Sequence, residues 1–285
     1  MTLDEAAGRL VRPFSVRLEA PDVTWSIVVR SLATGEMHAR EPARDLSTAS
    51  VGNLLLLAEV ARRLDDGRMP ADELLHRTDA DAVADSGLWQ HLDVESLTAR
   101  DAAVLVAATS DNLATNVLLR RLGVKAMDET ARALGLSNLR LHDYVRDERR
   151  ATDPPRLSSG SAQDLAEMFV RIGEGSIFSP AVSGMLAHWL GLNTDLSMVA
   201  SSLDLDPLAH AVGGAQLSLM SKTGTDTGVR ADCGLVSRDG VQVAYAAIAN
   251  WDATTESTLA LVMADMRSIG GFVRGLVEGE NPSGA

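Results

Sequence analysis

The sequence contains a single cysteine, Cys233, so an internal disulfide and a metal site built from several cysteines are both excluded. Aromatic residues are also scarce: they make up 4% of the 285 residues, whereas hydrophobic residues as a whole make up 46%. The core therefore has to be built mainly from alanine, leucine and valine. No apolar run approaches the roughly 18 residues that a membrane span requires, and no membrane association is predicted.

Lysine is scarce as well, and acidic residues outnumber basic ones by 39 to 26. Lysine occurs only as Lys125 and Lys222, and the formal net charge is −13. Nucleic acids and anionic membranes are bound through basic patches, so neither is predicted as a partner. The acidic N-terminus lacks the basic and then apolar pattern of a signal peptide. It predicts a cytoplasmic protein, and a secreted protein whose leader has been removed stays the alternative.

The hydrophobic pattern changes twice along the chain. Strand patterns occur near both ends, and a helical pattern fills residues 49–205. Because a two-stranded hairpin alone is only marginally stable, both ends are expected to join in one antiparallel sheet. The predicted fold class is α/β (α+β), with helices flanking this sheet and an inserted all-helical lobe. The predicted strands are 23–32, 37–41, 216–222, 231–238 and 241–250, and the predicted closing helix is 253–276.

This pattern divides the chain into two lobes of one domain. Residues 1–48 and 206–285 are predicted to form an α/β lobe, and residues 49–205 the helical lobe. A cleft between two such lobes is a natural place for a small-molecule site. Four helix starts inside the helical lobe are predicted from capping residues, which are Thr98, Asp111, Ser161 and Ser179.

Ser50 lies where a loop turns into a strongly apolar helix. A serine there sits at the positive end of the helix dipole, near free backbone N–H groups. That position suits a nucleophile whose attack creates an oxyanion. Taken alone, a serine in this place is more often a simple helix cap, so the interpretation depends on two further motifs.

The second motif is S-D-N at 110–112, and the third is K-T-G at 222–224. The hydroxyl of Ser110 can pass a proton to a leaving amine, and the amide of Asn112 can bind a substrate carbonyl, although Asp111 also fits a plain capping role. Gly224 lets a substrate backbone pair along the strand edge. A lone K-T-G is a weak signal, but the ordered set S-x-x-K, S-D-N and K-T-G is typical of class A β-lactamases and penicillin-binding proteins.

With these motifs the chain resembles the class A β-lactamase and penicillin-recognising serine hydrolase family. The resemblance runs from about residue 20 to residue 275. In the family's S-D-N-x-A-x-N stretch, the final asparagine, here Asn116, braces the loop beside the active site. Other similar stretches are the helix start at 162–166, the L-x-x-N-x-T segment at 190–194, and the third motif with its downstream arginine at 222–232.

The resemblance implies a role for each site residue. Ser50 is the expected acylated nucleophile, with an oxyanion hole formed by the N–H groups of Ser50 and Thr225. Ser110 is expected to protonate the leaving nitrogen, and Asn112 to hold the substrate amide. The residues expected to bind a substrate carboxylate are Lys222, Thr223 and Arg230. The implied ligand is a small, carboxylate-bearing β-lactam or related cyclic amide. No metal or cofactor is predicted, and the oligomeric state is left open.

The first motif is incomplete, because Asn53 stands where the set has lysine. An amide has no titratable proton near neutral pH, so Asn53 cannot take the proton from Ser50, although it can still hydrogen-bond to it. Losing general base help typically lowers a rate by about 10² to 10⁴. Acylation is therefore expected to be impaired.

The loop at 141–157 departs from the family as well. Alignment puts Val145 where class A enzymes carry the glutamate that activates the deacylating water. Asp147 and Glu148 are possible substitutes, but charges in such a loop are more often solvated. His142 is a further candidate base, since its ordinary pKa is suitable, although a lone histidine is more often structural.

Three hypotheses follow. The leading one is a serine β-lactamase-like hydrolase that acts through an acyl-enzyme on Ser50, in which Lys222 and Ser110 handle protons and Asn53 is expected to weaken the activity. The second is a catalytically impaired pseudoenzyme that binds a β-lactam-like ligand or a partner. The third is an esterase or peptidase of the same family, because fold does not fix substrate.

Overall fold

The computed structural model of the chain describes residues 2–4, 9–84, 86–210, 217–253 and 256–279. Strands and helices within these residues are numbered here in chain order. The strands are β1 Thr2–Asp4, β2 Arg9–Pro13, β3 Thr24–Ser31, β4 Met37–Arg40, β5 Leu46–Ser47, β6 Leu74–His76, β7 Ser96–Thr98, β8 Arg140–Leu141, β9 Ser158–Gly160, β10 Leu217–Asp226, β11 Val229–Arg238 and β12 Val241–Asn250. The helices are α1 Asn53–Asp65, α2 Ala99–Thr109, α3 Asn112–Leu122, α4 Val124–Ala133, α5 Ala162–Gly173, α6 Pro180–Leu190 and α7 Glu256–Val277.

Both ends of the chain meet in one seven-stranded sheet, whose order is β1-β2-β4-β3-β12-β11-β10. The joint is the antiparallel pair of β3 with β12, which places Val28 opposite Ala246. The prediction that the two ends share a sheet is therefore confirmed. Every pair in this sheet is antiparallel except β2 with β4, which run parallel.

Helices cover both faces of the sheet, so its central strands are buried on both sides. One hydrophobic cluster joins the sheet to helices α1 to α6, and it contains most of the leucines of α1. The other cluster joins the opposite face to α7. Among the helices that the structure describes, none combines the length and the apolar character needed to cross a bilayer.

The helix starts follow the predicted capping chemistry. The side chains of Thr98, Asp111, Ser161 and Ser179 each accept a hydrogen bond from a backbone N–H in the first turn of the following helix. Asp111 begins α3, and Gly123 ends it. These predictions are confirmed. Capping can be predicted from sequence because it depends on residues that lie close together in the chain.

The stretch 49–205 was predicted to be all helical, but it also contains short strands. It contains the strand pair β6 with β7, together with β8 and β9, which join β5 in a small three-stranded sheet. Each of these strands has only two or three residues, too few to show an alternating pattern. The strand predicted from 216 is described from Leu217 onward, since residue 216 lies outside the described residues. The lobe boundaries at 48/49 and 205/206 stay a prediction.

Candidate active site

Ser50 lies in a short 3₁₀ turn, Ala49–Gly52, that leads directly into α1. The residue before it, Ala49, has φ +48°, in the left-handed region that non-glycine residues rarely occupy. The carbonyl of Ala49 accepts a hydrogen bond of 2.5 Å from the Ser158 hydroxyl on β9. The turn is thus held by a hydrogen bond from another strand, and half-buried Ser50 lies at the start of a buried helix.

Strand β10 passes so close to this turn that only glycine fits at position 224. A Cβ atom on Gly224 would lie 2.3 Å from the carbonyl oxygen of Thr48 and 3.1 Å from the backbone nitrogen of Ser50. Both neighbours are backbone atoms and cannot rotate away. The K-T-G motif therefore lies directly against the turn that carries Ser50.

We expect Gly224→Ala to lower the free energy of unfolding by about 1–3 kcal/mol, because the added methyl forces β10 away from the turn. Urea denaturation measures this change. The matched control is Gly271→Ala in α7, where a Cβ meets no heavy atom within 4 Å. There alanine should be neutral or stabilising by up to about 1 kcal/mol. Equal stability of the two variants would contradict the close approach.

The second and third motifs meet through Lys222 and Ser110. The Nζ atom of Lys222 donates hydrogen bonds to Ser110 Oγ at 3.0 Å and to the carbonyl of Thr223 at 2.8 Å. Lys222 is fully buried. Burial lowers its pKa from 10.5 to about 8, against the opposing effect of Cys233 and nearby aspartates. A buried amine with a lowered pKa, bonded to a hydroxyl, can exchange protons with it near neutral pH.

Within S-D-N, Asp111 has a structural role in addition to capping. One carboxylate oxygen accepts the N–H of Ala114, and the other accepts those of Leu88 and Trp89. Asn112 lies beside the same loop. Its Nδ2 donates to the carbonyl of Ala84 at 3.1 Å. One amide hydrogen of Asn112 is therefore engaged by the protein, and the other can serve a ligand.

The side chain of Asn53 does not hydrogen-bond to the Ser50 hydroxyl, although its backbone N–H donates to the Ser50 carbonyl. Its Nδ2 instead donates to Thr115 Oγ1 at 3.3 Å. The Thr115 hydroxyl in turn donates to the Asp111 carbonyl, so it can only accept from Asn53, and this fixes the orientation of the amide. Among the described residues, none donates a hydrogen bond to the fully buried Oδ1 of Asn53. Such an unmet acceptor costs about 1–3 kcal/mol.

The residues predicted to bind a carboxylate lie on adjacent strands. Thr223 and Thr225 belong to β10, and Thr225 pairs with Arg230 of β11. The guanidinium of half-buried Arg230 donates to the carbonyls of Asp226 and Val229, and lies 6.0 Å from the ring centre of Trp251. These contacts hold the arginine near the exposed end of β10. The oxyanion hole at Ser50 and Thr225 stays a prediction.

Asn116 braces the loop at 141–157. Its Oδ1 accepts the N–H of Val145 at 2.9 Å, and its Nδ2 donates to the Val145 carbonyl at 3.0 Å. The side chain of Val145 packs against the hydrophobic core. This position of the loop is thus held firmly, with an apolar group where the sequence resemblance predicts a carboxylate.

The other candidate bases of this loop have different partners. The carboxylate of Asp147 accepts the N–H of Ala84 at 2.8 Å. His142 Nε2 lies 3.1 Å from Ser159 Oγ, and burial lowers its pKa. Across the described residues, no side chain lies within hydrogen-bond reach of the Ser50 hydroxyl. Neither Asp147 nor His142 therefore acts directly on Ser50 in this conformation.

Two residues near the site were missed by sequence reasoning. Ser158 holds Ala49, as described above, and Asn250 at the end of β12 hydrogen-bonds the backbone of Ser47. Neither belongs to a motif, and both act across more than 100 residues of sequence, so no local signal identifies them. In the described parts of the chain, no group of three or more His, Cys, Asp or Glu could hold a metal ion.

Comparison with known proteins agrees with this fold. A β-lactamase from Sphaerobacter thermophilus has a TM-score of 0.80 and 21% identity, covering 93% of this chain and 95% of its own. PBP-A has a TM-score of 0.76 and 21% identity, covering 93% and 98%. A β-lactamase from Burkholderia vietnamiensis has a TM-score of 0.75 and 19% identity, covering 89% and 91%.

These solved structures show the fold of the chain. No curated protein matches it. The model of the β-lactamase enzyme family, however, matches residues 12–263, which is most of the sequence. The chain belongs to the β-lactamase enzyme family.

Proposed function

We propose that the protein is a β-lactamase-like serine hydrolase that is acylated by β-lactams and turns them over slowly. A β-lactam acylates Ser50, and the acyl-enzyme persists because hydrolysis lacks a well-placed base. The observation that carries this proposal is the 3.0 Å hydrogen bond between Lys222 Nζ and Ser110 Oγ. It provides one proton-transfer group for acylation, whereas Asn53 and Val145 provide none.

The acylation step can be written with these groups. Ser50 Oγ bonds to the lactam carbonyl carbon. Its proton passes to the Ser110 hydroxyl, which ligand binding has to bring within hydrogen-bond distance of Ser50 Oγ, while Ser110 passes its own proton to neutral Lys222. The carbonyl oxygen becomes an oxyanion, which the N–H groups of Ser50 and Thr225 stabilise. When the C–N bond breaks, Ser110 donates its proton to the ring nitrogen, and the ammonium of Lys222 returns one to Ser110. Proton transfer of this kind contributes about 10²–10⁴ in rate.

Ligand binding depends on charges at the end of β10. Arg230 stays protonated throughout the working pH range, so it can pair with the ligand carboxylate while Lys222 is neutral. The hydroxyl of Thr223 and the free amide hydrogen of Asn112 complete the polar contacts. A point mutant of PBP-A, 22% identical to this chain with a TM-score of 0.73 over 89% of it, forms an acyl-enzyme with penicillin G, which supports penicillin G as the first ligand to test.

A protein that binds the ligand without reacting is the second candidate. It is favoured by Asn53, whose buried Oδ1 has no partner and whose amide cannot accept a proton from Ser50. In that case the cleft recognises the ligand, and Ser50 is never acylated.

Intact-mass spectrometry after incubation with penicillin G separates the two candidates. Acylation predicts an increase equal to one penicillin, mapping to Ser50 and absent from Ser50→Ala. A chromogenic cephalosporin assay in parallel should show slow hydrolysis. Binding without any adduct would favour the second candidate. If the protein neither forms an adduct nor binds penicillin G, the proposal is rejected. A panel of chromogenic esters would then test the esterase alternative.

A further inference from the structure

Asn250, the last residue of β12, is tied to the segment that carries the nucleophile. Its Oδ1 accepts the N–H of Ser47 at 2.8 Å, and its Nδ2 donates to the carbonyl of Ser47 at 2.9 Å. The amide side chain thus bonds both polar groups of one backbone residue, as a neighbouring strand would. Ser47 lies only three residues before Ser50.

This pair of bonds connects two sheets. Ser47 belongs to β5, which pairs with β9 in the small sheet. Asn250 lies in the large sheet, opposite Val229 of β11. The next residue of β11 is Arg230, whose partner on β12 is Ala249. These two hydrogen bonds, called the tether below, fix the start of the turn that carries Ser50. They fix it relative to β11, the strand that carries the proposed carboxylate-binding Arg230.

The turn itself needs such support. Ala49 is held in a left-handed conformation, which is strained for a non-glycine residue. Two contacts described above hold the turn from other sides: the Ser158 hydroxyl on the Ala49 carbonyl and Gly224 against Thr48. Asn250 supplies a third contact, on the N-terminal side. Without it, Ser47 keeps its pairing with β9 but is free to shift relative to the large sheet.

We infer that Asn250 is a positioning residue, which sets the distance between the Ser50 hydroxyl and the ligand held by Arg230. This inference rests on the proposed acylation of Ser50. A misplacement of about 1 Å can lower the rate of a positioned reaction about 10²-fold. The effect should fall on the chemical step, because the side chain of Asn250 bonds the backbone of Ser47 and Ala249 rather than the proposed ligand-binding groups.

The test is Asn250→Ala, compared with the unaltered protein in stopped-flow acylation by a chromogenic cephalosporin. We expect the limiting acylation rate to fall at least about tenfold, while the dissociation constant of the initial complex stays within about threefold. Gln242→Ala is the matched control, because Gln242 is another amide on β12 whose Nε2 bonds Ser237 and not the turn. It should acylate at the normal rate.

Hydrogen exchange gives a readout that does not depend on activity. Asn250→Ala should speed exchange of the backbone amides at 47–52, and Asn250→Asp, which keeps only the acceptor for the Ser47 N–H, should lie between. A normal acylation rate in a folded Asn250→Ala protein, or unchanged exchange at 47–52, would overturn the inference. If the unaltered protein forms no adduct but exchange responds as expected, the proposed function fails while the tether stands as a structural feature.

Discussion

The double substitution Asn53→Lys, Val145→Glu is expected to raise steady-state penicillin hydrolysis by about 10²–10⁴-fold, the usual contribution of a general base. Asn53 lies one turn after Ser50, at the start of α1, and its buried Oδ1 has no partner. Val145 is held at its backbone by Asn116. A lysine amine and a glutamate carboxylate at these positions would supply the two proton acceptors that the chain lacks.

The two substitutions should be made together for an electrostatic reason. Asn53 bonds Thr115 and Val145 bonds Asn116, so both positions border the first turn of α3. A lysine alone at the fully buried position 53 would be an unpaired buried cation, and such a charge is expensive without a partner. Because residues 53 and 145 bond consecutive residues of α3, we expect a carboxylate at 145 to supply that partner. We therefore expect each single variant to be less stable and less active than the pair.

Measurement requires hydrolysis rates and urea denaturation on all variants. The uncharged pair Asn53→Met, Val145→Gln has similar side-chain sizes and supplies no base, so its hydrolysis rate should not rise. A double variant that folds normally, forms the Ser50 adduct and yet hydrolyses penicillin no faster would contradict the proposal that missing bases limit turnover.

The sequence predicted features whose causes are local or that belong to the motif set. Asp111 caps α3 because its own carboxylate reaches the N–H of Ala114. The shared sheet was predicted because the two strands near the N-terminus would be only marginally stable as an isolated hairpin. The meeting of Lys222 with Ser110 was expected only from the resemblance, because nothing in the composition places residues 112 positions apart in contact.

Other features could not be predicted, because they depend on three-dimensional neighbours. The side chain of Asn53 can by its chemistry bond Ser50, but in the structure it donates to Thr115 on α3. The tether from Asn250 to Ser47 spans 203 residues, and an asparagine at a strand end has no local pattern that reveals its partner. Gly224 was predicted to let a substrate backbone pair along the strand edge. In the structure, its lack of a side chain also makes room for the backbone of the turn that carries Ser50.

The second large effect concerns Lys222. We expect Lys222→Gln to lower the limiting acylation rate by about 10²–10⁴-fold, because glutamine can bond Ser110 but cannot accept its proton. Only neutral lysine is a base, so the direction of its pKa shift matters. With the pKa lowered to about 8, about a tenth of the molecules carry a neutral amine at pH 7. An unperturbed lysine would be neutral in fewer than about one molecule in a thousand.

The same value fixes the expected pH dependence. The acylation rate at saturating ligand should rise between about pH 6 and pH 9 with a midpoint near 8, as Lys222 loses its proton. The initial dissociation constant should change less, because Arg230 keeps its charge. In Lys222→Gln this rise should disappear. A pH-independent rate in the unaltered protein, or a rise that survives the substitution, would assign the proton acceptor to a group other than Lys222, while adduct formation on Ser50 would still stand.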